Sequence, residues 1–385
     1  MTGAATAPLS GTAARPAGRS ASPYRIMIVD DSAVIRGLLT RSIEADPDLA
    51  VVASVGDGQM ALNALQRHDV EIVILDIEMP IMDGLTALPK LIAAKPGIRV
   101  LVASTLTLRG ATISLKALAA GAADYITKPG SSSLTSTDEF KRQLVAKVKA
   151  LAQARRSSRG EAQPTSAANE TAPPATPARR RSGGIRLRPY GSERPDVLAI
   201  GSSTGGPQAL FHVLNRVAGL SLPILITQHM PATFTTILAE HIQRVVGRPT
   251  AEATDGTSIE RSRIYVAPGD FHMLVEAEGT QRRIRLSKAA PENFCRPSVD
   301  PMLRSVAKVY GGRVLCAILT GMGHDGLRGG EVVVNAGGTV IAQDEKTSIV
   351  WGMPGAVAMA GICSAVLPLD ELGSAITRFA ERGRP

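Results

Sequence analysis

The chain has 385 residues, 44% of them apolar and only 3% aromatic, so it is long enough for two domains, or three, with mostly aliphatic cores. Its formal net charge of +9 suggests a nucleic-acid partner at first sight, but residues 1–23 and 151–195 carry +2 and +6 of it. A nucleic-acid-binding domain carries its basic patch on a folded face, and these two stretches are predicted not to fold, so no nucleic-acid partner is expected.

The chain begins with a stretch that predicts no structure. Residues 1–23 are rich in Ala, Gly, Ser and Pro and contain no apolar run of signal-peptide length, so we expect a disordered tail. No apolar run elsewhere approaches the ~20 residues that span a bilayer, so no direct membrane insertion is expected. The three cysteines (Cys295, Cys316 and Cys363) are scattered and form no C-x-x-C pair, which argues against disulfides or a zinc site. These features predict a cytoplasmic protein.

Residues 24–152 predict an α/β domain. Five apolar runs of strand length occur there: RIMIV (25–29), VVASV (51–55), EIVIL (71–75), IRVLVA (98–103) and ADYI (123–126). Between them apolar residues recur at helical spacing, first at Val34, Leu38, Leu39 and Ile43 and last at Phe140, Leu144, Val148 and Leu151. Five such βα units are typical of a doubly wound, mainly parallel sheet that is buried on both faces.

Polar residues follow several of these strands. Asp30 and Asp31 come after the first, Asp76 after the third, Ser104 after the fourth and Lys128 after the fifth. Because ligands of doubly wound sheets gather at the carboxyl ends of the strands, we expect these side chains to meet. Three carboxylates with open positions suit Mg²⁺, which shares a phosphate and keeps waters. An Asp after a strand can also be a helix N-cap, but that explains one such residue better than three.

These motifs, with LDIEMPIMDG around Asp76 and KP at 128–129, resemble the receiver domain of response regulators, a flavodoxin-like fold. The resemblance implies that Asp76 takes a phosphoryl group from a histidine kinase. It also implies that Mg²⁺ is bound by Asp30, Asp31, Asp76 and the main-chain carbonyl of Glu78. Ser104 and Lys128 would support the phosphoryl group, and Tyr125 would be the aromatic residue that switches. The resemblance predicts a regulated domain without naming its output.

Residues 153–194 predict a linker. They are rich in Ala, Pro, Ser, Thr and Arg and show no apolar periodicity, so they offer too little apolar surface to offset chain entropy. A flexible stretch of this length spans on the order of 35 Å on average. The two folded parts can therefore touch or separate at little cost.

Residues 195–385 predict a second domain of the same class, Rossmann-like and mainly parallel. Its strands are predicted at VLAIG (197–201), PILITQ (223–228), RIYVAP (263–268), VLCAILT (314–320) and GTVIAQ (338–343), with a hairpin at 273–286. Helices are predicted to begin at Pro207, Thr233, Val299, Asp325 and Gly355. The alternation of strands and helices again indicates an α/β sheet with its ligand edge at the strand ends.

The turn GSSTGGP (201–207) after the first of these strands has two interpretations. A glycine-rich turn before a helix can bind phosphate, although neither common phosphate-loop spacing is present. Alternatively Ser203 sits on a tight elbow as a nucleophile, as in G-x-S-x-G.

A nucleophilic serine needs a base and an acid that orients it. Of the six histidines, His68, His212 and His241 fall in helical patterns, and His272 and His324 in turns. His229 ends the strand next to that of Ser203, and its imidazole is expected to be neutral near pH 7. Asp325, in TGMGHDG (320–326), reaches the same edge as third member, although it is also a plausible N-cap. The glycines around Met322 make its main-chain amide the candidate for stabilising an oxyanion.

The second half resembles the catalytic domain of the chemotaxis-specific protein-glutamate methylesterases, through IGSSTGGP, TQHMP, VAPGDFHM, RPSVDPML, LTGMGHDG and VWGMPGAV. The resemblance implies Ser203 as nucleophile, His229 as base and Asp325 as third member, with no metal for ester hydrolysis. It implies demethylation of glutamate γ-methyl esters, and deamidation of glutamines, on cytoplasmic helices of chemoreceptors. It also implies that the unphosphorylated receiver covers the catalytic face. Two positions depart from the family: Ser202 is often Ala and His324 often Asn.

Three other outputs stay open on the residues alone. The second domain could be catalytically idle and serve as a phosphate sink or receptor adaptor, which the intact Ser/His/Asp set argues against. It could hydrolyse another acyl substrate, since substrate choice lies in loops that the pattern does not place. A DNA-binding output is disfavoured by the location of the charge and the size of the domain.

Overall fold

The computed structural model of the chain describes residues 22–128, 134–161 and 184–382. Most of the predicted tail, the middle of the predicted linker and Pro129 lie outside the described residues. The described part contains two mainly parallel α/β domains, so the predicted fold class is confirmed. No helix among these residues is long and apolar enough to cross a membrane.

The first domain is a five-stranded parallel sheet in the order β2-β1-β3-β4-β5. Its elements are β1 (Tyr24–Val29), α1 (Ala33–Glu44), β2 (Leu49–Val55), α2 (Gly58–Leu65), β3 (Ile72–Asp76), α3 (Gly84–Ala94), β4 (Arg99–Ser104), α4 (Leu108–Ala119), β5 (Asp124–Thr127) and α5 (Leu134–Arg159). All five predicted strands are present with ends shifted by one or two residues. The strand order is the flavodoxin-like one, which places the ends of β1 and β3 side by side.

Local sequence explains where the helices begin. Ser32, Asp57, Asp83 and Thr107 precede α1 to α4, and each side chain accepts a hydrogen bond from a main-chain amide of the first turn. Such caps are worth about 1 kcal/mol each. One apolar residue departs from the predicted α1 face, because Val34 is 79% exposed in the first turn while Leu39 and Ile43 are buried.

Helix α5 continues seven residues beyond the predicted start of the linker, to Arg159. The reason is Glu71, a fully buried carboxylate that forms ion pairs with Arg155 at 3.0 Å and Arg156 at 2.7 Å. A buried carboxylate needs such partners because desolvation of an unpaired charge costs several kcal/mol. The prediction of a linker from residue 153 is therefore wrong for 153–159, and two of its arginines belong to a folded core.

The second domain is a seven-stranded parallel sheet in the order β14-β13-β12-β6-β7-β9-β8, with a separate hairpin of β10 and β11. Its elements are β6 (Val197–Ser202), α6 (Gly206–Arg216), β7 (Ile224–Gln228), α7 (Ala232–Val246), β8 (Thr250–Glu252), β9 (Ile264–Val266), β10 (His272–Glu278), β11 (Gln281–Ser287), α8 (Val299–Tyr310), β12 (Val314–Ile318), α9 (Leu327–Asn335), β13 (Thr339–Gln343), α10 (Met353–Met359), β14 (Ala365–Leu367) and α11 (Leu369–Arg382). The predicted helices begin within two residues of the observed ones.

Three elements were not predicted. Strands β8 and β14 have three residues each, which is too short for a periodic pattern. Helix α11 does carry a helical pattern in Leu372, Ile376 and Phe379, all buried. Residues just before β6 also pack on this domain. The Tyr190 ring lies 5.4 Å from that of Phe379 in α11, and Arg188 N donates a hydrogen bond to Cys363 O at 2.9 Å. The end of the predicted linker therefore packs on the second domain.

The two domains are packed against each other. The ring of Tyr125 in β5 stacks on that of Phe234 in α7, with centroids 4.5 Å apart and planes 8° from parallel. The Gln208 amide of α6 donates to the main-chain oxygens of Ala122 and Leu118, at 2.5 and 3.1 Å. The interface therefore joins the α4-β5 side of the first domain to helices α6 and α7.

Candidate active site

Ser203 follows β6 on the turn that leads into α6. The turn is tight because Gly205 has a φ of 75°, and a side chain at Gly206 would meet Gln228 Oε1 at 1.9 Å. Ser203 N donates to Thr320 O at 3.0 Å, which fixes the turn against the loop after β12. The predicted elbow is therefore built by two glycines that keep the hydroxyl at the head of a helix.

His229 follows β7, the strand that pairs with β6. Ser202 and Gln228 are register partners, and His229 N donates to Ser202 O at 3.2 Å. The chain segments at 203 and 229 thus leave the sheet next to each other, as the predicted strand order requires. The imidazole Nε2 lies 2.8 Å from Asp325 Oδ2, while Nδ1 lies 3.4 Å from Cys295 Sγ. Within the described residues, the Ser203 hydroxyl makes no hydrogen bond to either nitrogen.

Asp325 follows β12, on the other side of β6, and is 1% exposed. Each of its oxygens accepts three hydrogen bonds. Those on Oδ2 come from His229 Nε2, Ser298 Oγ and Val299 N, and those on Oδ1 from Asn293 Nδ2, Asp300 N and Gly326 N, all between 2.6 and 2.9 Å. The N-cap interpretation of Asp325 is corrected in detail, because Gly326 precedes α9 and the carboxylate instead caps the start of α8.

His229 and Asp325 shift each other's pKa in the direction that favours an ion pair. Burial raises the pKa of Asp325, but His229 and the main-chain amides outweigh it and hold the pKa well below its usual range. Burial likewise lowers the pKa of His229, but Cys295 and Asp325 outweigh it and raise the pKa to about 10. These two neighbours favour the protonated ring, whereas a neutral one was expected from the sequence, and the neutral base stays a prediction.

The loop at 320–326 touches Ser203, the predicted nucleophile. A side chain at Gly321 would lie 2.9 Å from Ser203 Cβ, and Gly321 O accepts hydrogen bonds from Gly352 N and Met353 N. Met322 follows in the same loop, and its side chain packs with the core of the first domain. Its amide as oxyanion donor stays a prediction, supported by this proximity.

The two departures from the family pattern lie outside the His–Asp contact. Ser202 is buried and its hydroxyl bonds Gln228 Oε1 at 2.7 Å, while His324 is exposed. Of the other histidines, His68 lies in a bend after α2 and not in a helix, whereas His212 and His241 lie in α6 and α7. His272, predicted in a turn, is the buried first residue of β10. Among the described residues, none of these five histidine side chains makes a hydrogen bond to the His229 or Asp325 side chain.

The first domain brings its predicted site residues together. Carboxylate oxygens of Asp30, Asp31 and Asp76 lie within 4.8 Å of one another. Lys128 Nζ lies 2.7 Å from Asp30 Oδ2 and 2.8 Å from Asp76 Oδ1. Burial raises the pKa of Asp76 more than Lys128 lowers it. Three hard oxygen donors around one point, with an open face, fit a Mg²⁺ ion.

Ser104, Glu78 and Tyr125 are placed less directly. The Ser104 hydroxyl is buried and donates to Gly110 O at 3.1 Å, so it faces the backbone of α4 in this state. The Glu78 side chain pairs with Arg109 at 3.1 Å, and the role of its main-chain carbonyl stays a prediction. Tyr125 is buried against Phe234, which links the predicted switch residue directly to the second domain.

The first domain also contacts the residues around Ser203. Thr204 Oγ1, one residue after the nucleophile, donates to Asp124 Oδ2 at 2.8 Å. The Arg142 guanidinium lies over the Phe294 ring at 4.6 Å, and Val350 is buried in the core cluster of the first domain. The first domain therefore lies next to the turn that carries Ser203, and the covering of the catalytic face implied by the resemblance stays a prediction.

Sequence reasoning missed the residues that hold the pair from outside the Ser/His/Asp set. Asn293 and Ser298 donate hydrogen bonds to Asp325, and Cys295 contacts His229. Asp124, which accepts a hydrogen bond from Thr204, was missed as well. The signal for Ser298 was present, because a serine directly before a predicted helix is a capping pattern. Asn293 and Cys295 lie in a loop whose path no periodicity encodes.

The chain is similar to known proteins along almost its whole length. The family profile described as CheB methylesterase matches residues 198–376, and that of the response regulator receiver domain matches 26–137. The chain is 59% identical to the protein-glutamate methylesterase/protein-glutamine glutaminase of Azospirillum brasilense, over 97% of this chain and 98% of that protein. It is 57% identical to the group 2 operon enzyme of the same description from Rhodospirillum centenum, over 96% and 97%. The solved catalytic domain of Thermotoga maritima CheB methylesterase shares 36% identity, covers 48% of this chain and 98% of its own, and has a TM-score of 0.47.

Proposed function

The chain belongs to the CheB methylesterase family with a receiver domain in front, and on that premise we propose that Ser203, His229 and Asp325 perform its hydrolysis. It is a protein-glutamate methylesterase and protein-glutamine glutaminase of chemotaxis, regulated by phosphorylation. The observation that carries the residue assignment is the 2.8 Å contact of His229 with a saturated Asp325 at the sheet edge where Ser203 emerges. Because the chain is a methylesterase of this family, a catalytically idle second domain is excluded.

The acyl-transfer chemistry follows from the roles of the three groups. Ser203 Oγ attacks the γ-carbonyl of the glutamyl methyl ester as neutral His229 takes its proton, and Asp325 stabilises the imidazolium that forms. The imidazolium returns the proton to the methoxy group, so methanol leaves and a glutamyl ester of Ser203 remains. Water activated by the same imidazole then releases the glutamate and restores the serine. With glutamine the leaving group is ammonia.

The tetrahedral intermediate carries an oxyanion that needs donors. The main-chain amide of Met322 is our candidate, since the loop at 321 is packed on Ser203. One such donor is worth roughly 3 kcal/mol where it has been measured in other enzymes. Ester hydrolysis in this scheme uses side chains and amides alone, and we assign it no cofactor.

Regulation is proposed to act by uncovering this face. A chemotaxis histidine kinase supplies the phosphoryl group to Asp76. The oxygens of Asp30, Asp31 and Asp76 and the Glu78 carbonyl would hold Mg²⁺, which when bound neutralises charge on the phosphoryl oxygens. Ser104 and Lys128 would then bind the phosphoryl group, and Ser104 must leave Gly110 O to do so. Tyr125 sits between that site and Phe234, so a movement of its ring would loosen the interface.

The finer partners follow from the same assignment. The substrate is a methylated glutamate on the cytoplasmic helices of chemoreceptors, so we place the protein in the cytoplasm, without membrane insertion and without a nucleic-acid partner. Each turnover adds one negative charge to a receptor helix bundle, which shifts the balance between its packed states.

The test uses receptor membranes carrying radiolabelled methyl esters and measures released methanol with and without a small-molecule phosphodonor. Ser203→Ala is expected to abolish release while Asp76 still accepts phosphate. Ser202→Ala is the matched control, because its hydroxyl bonds Gln228 and it should retain activity within a few-fold. Methanol release that survives in Ser203→Ala would show that the nucleophile lies elsewhere.

A further inference from the structure

The imidazole of His229 is held on both of its nitrogens. Nε2 contacts Asp325 Oδ2 at 2.8 Å, and Nδ1 contacts Cys295 Sγ at 3.4 Å. The second distance is within the range of a sulfur hydrogen bond, and the ring is 12% exposed. Cys295 therefore contacts Nδ1, the ring nitrogen that makes no contact with Asp325.

The turn that carries Cys295 is unusual in its backbone. Glu292 N donates to Cys295 O at 3.1 Å and Cys295 N to Glu292 O at 2.9 Å, which closes a four-residue turn. Its two central residues, Asn293 and Phe294, have φ of 52° and 61°. Both are left-handed, the pattern of a type I′ turn, whose second central position favours glycine. A phenylalanine there costs roughly 1–2 kcal/mol, so the surroundings must hold the turn in place.

Two anchors fix this turn. Asn293 Nδ2 donates both to Asp325 Oδ1 at 2.9 Å and to Asp300 Oδ2 at 3.0 Å, and Glu292 forms an ion pair with Arg304 of α8. The turn is thus tied to the same carboxylate that holds the other side of the imidazole. Strain kept in a turn that is anchored on catalytic groups is the pattern expected of a functional element.

The nucleophile needs the nitrogen that the thiol contacts. Asp325 is saturated and buried, so Nε2 is not available to Ser203, and Nδ1 is the nitrogen that remains for its proton. We propose that Cys295 is a positioning residue of the esterase: its thiol holds Nδ1 of His229 in the covered state and gives that nitrogen up to Ser203 for catalysis. This inference rests on the proposed roles of Ser203 and His229.

The charged surroundings make the effect of Cys295 measurable. The groups facing the imidazole are Asp325 on Nε2 and Cys295 on Nδ1, with Asp300 one hydrogen bond further through Asn293 and Arg142 of α5 over the neighbouring Phe294. Cys295 and Asp325 raise the pKa of the ring against burial. Replacing Cys295 removes one of these two contributions and lets burial lower the pKa.

The first test measures thiol reactivity in the full-length protein. Iodoacetamide is added between pH 5.5 and 9, and the alkylation of each cysteine is followed by mass spectrometry. Cys316 and Cys363 are internal controls, because both are fully buried and burial raises their pKa, to about 12 for Cys363. An imidazole in hydrogen-bond contact with a thiol can accept its proton and so increase its reactivity. Cys295 is therefore expected to react at pH 6 at least about tenfold faster than in His229→Gln.

A Cys295 alkylation rate that is the same in His229→Gln at every pH would overturn the inference. This measurement involves no ester hydrolysis, so its failure is distinct from failure of the proposed function. Conversely, if Cys295→Ala lost all activity while Ser203→Ala kept it, the cysteine would be the nucleophile and the proposed function itself would fall.

The second test measures the pH dependence of kcat/KM for basal methyl ester hydrolysis by the unphosphorylated protein, in which the thiol contacts Nδ1, in Cys295→Ala and Cys295→Ser. The acidic limb, which reports the free base, is expected to move to lower pH by about one unit or more in Cys295→Ala. Serine keeps a hydrogen-bonding group without the readily formed anion, so its shift should be smaller. A uniform fall in rate at every pH, with the limb unmoved in both variants, would mean a purely structural role and would overturn the inference.

Discussion

Two buried aspartates of this protein, Asp76 at the end of β3 and Asp325 in the loop after β12, have pKa values that are shifted in opposite directions. Burial raises the pKa of Asp76, whose contacts are Lys128 and its neighbouring amide at Ile77. Burial acts on Asp325 as well, but three hydrogen bonds on each oxygen hold its pKa well below the usual range. The number of donors, and not the depth of burial, separates the two. The proposed phosphoryl acceptor Asp76 thus keeps oxygen lone pairs free, whereas Asp325, which contacts the His229 imidazole, uses its own for hydrogen bonds.

Of the changes that test this difference between the two aspartates, removing the charge of Asp325 should have the largest effect. Asp325→Asn is expected to lower kcat for ester hydrolysis by about 10³- to 10⁴-fold, because an amide no longer stabilises the imidazolium. The measurement is methanol release by the phosphorylated protein. Asp370→Asn is the control, since that exposed carboxylate pairs only with surface groups such as His212. A loss below tenfold in Asp325→Asn would show that the carboxylate does not serve His229 in catalysis.

The same pair of residues should move stability in opposite directions. An asparagine at 325 cannot satisfy donors on both sides, because its amide nitrogen would face N–H groups, so the free energy of unfolding should fall by about 3 kcal/mol or more. Asp76→Asn removes a carboxylate that burial disfavours, so the first domain should become more stable at pH 7. Urea unfolding followed by circular dichroism, with the fluorescence of Trp351 reporting the second domain, checks both. Equal signs would contradict the comparison.

The pH dependence of stability should show the same difference in sign between Asp325 and Asp76. Stability contributed by Asp325 is fully present above the pKa of an unfolded aspartate, about 4, and is lost as the pH falls through its lower folded pKa. The folded pKa of Asp76 is raised, so its ionisation costs stability above that pKa and the cost disappears as the pH falls. Between pH 7 and pH 4 the stabilising effect of Asp76→Asn should therefore shrink. A gain that is constant over this range would mean that burial of the charge is not its cause.

The interface between the two sites should respond to smaller changes. Gln208 and Arg142 cross the interface without belonging to either site, so the double variant Gln208→Ala, Arg142→Ala should raise the activity of the unphosphorylated protein. A gain of about tenfold corresponds to the loss of roughly 1.4 kcal/mol of contact. Gln143→Ala is the matched control, because its amide bonds only Glu139 within α5. If the double variant is no more active than the control, the packing seen here does not limit access to Ser203.

More of the site in the first domain than of the site in the second domain could be predicted from the sequence. Strands, order and the convergence of Asp30, Asp76 and Lys128 follow from apolar periodicity and from residues placed at strand ends, which are local signals. The saturation of Asp325 does not, because Asn293 reaches it from a strained turn and the amides of α8 from a helix that is distant in sequence. Nor was the raised pKa of His229 predictable, since Cys295 contributes to it and no pattern brings Cys295 to the site. Packing between loops is not written in any short window of sequence.

The finest test of the comparison removes a single donor from the saturated carboxylate. Ser298 Oγ donates to Asp325 Oδ2 at 2.8 Å, so Ser298→Ala leaves that oxygen with His229 and Val299 N. Because five of the six donors remain, we expect the anion to persist and kcat to fall only about threefold, with a loss of about 1 kcal/mol in the free energy of unfolding. Ser287→Ala, which removes a hydroxyl that accepts only from Ala289 N, controls for the deletion itself. A loss in Ser298→Ala as large as that in Asp325→Asn would mean that this one hydroxyl, rather than the summed donors, sets the state of the carboxylate.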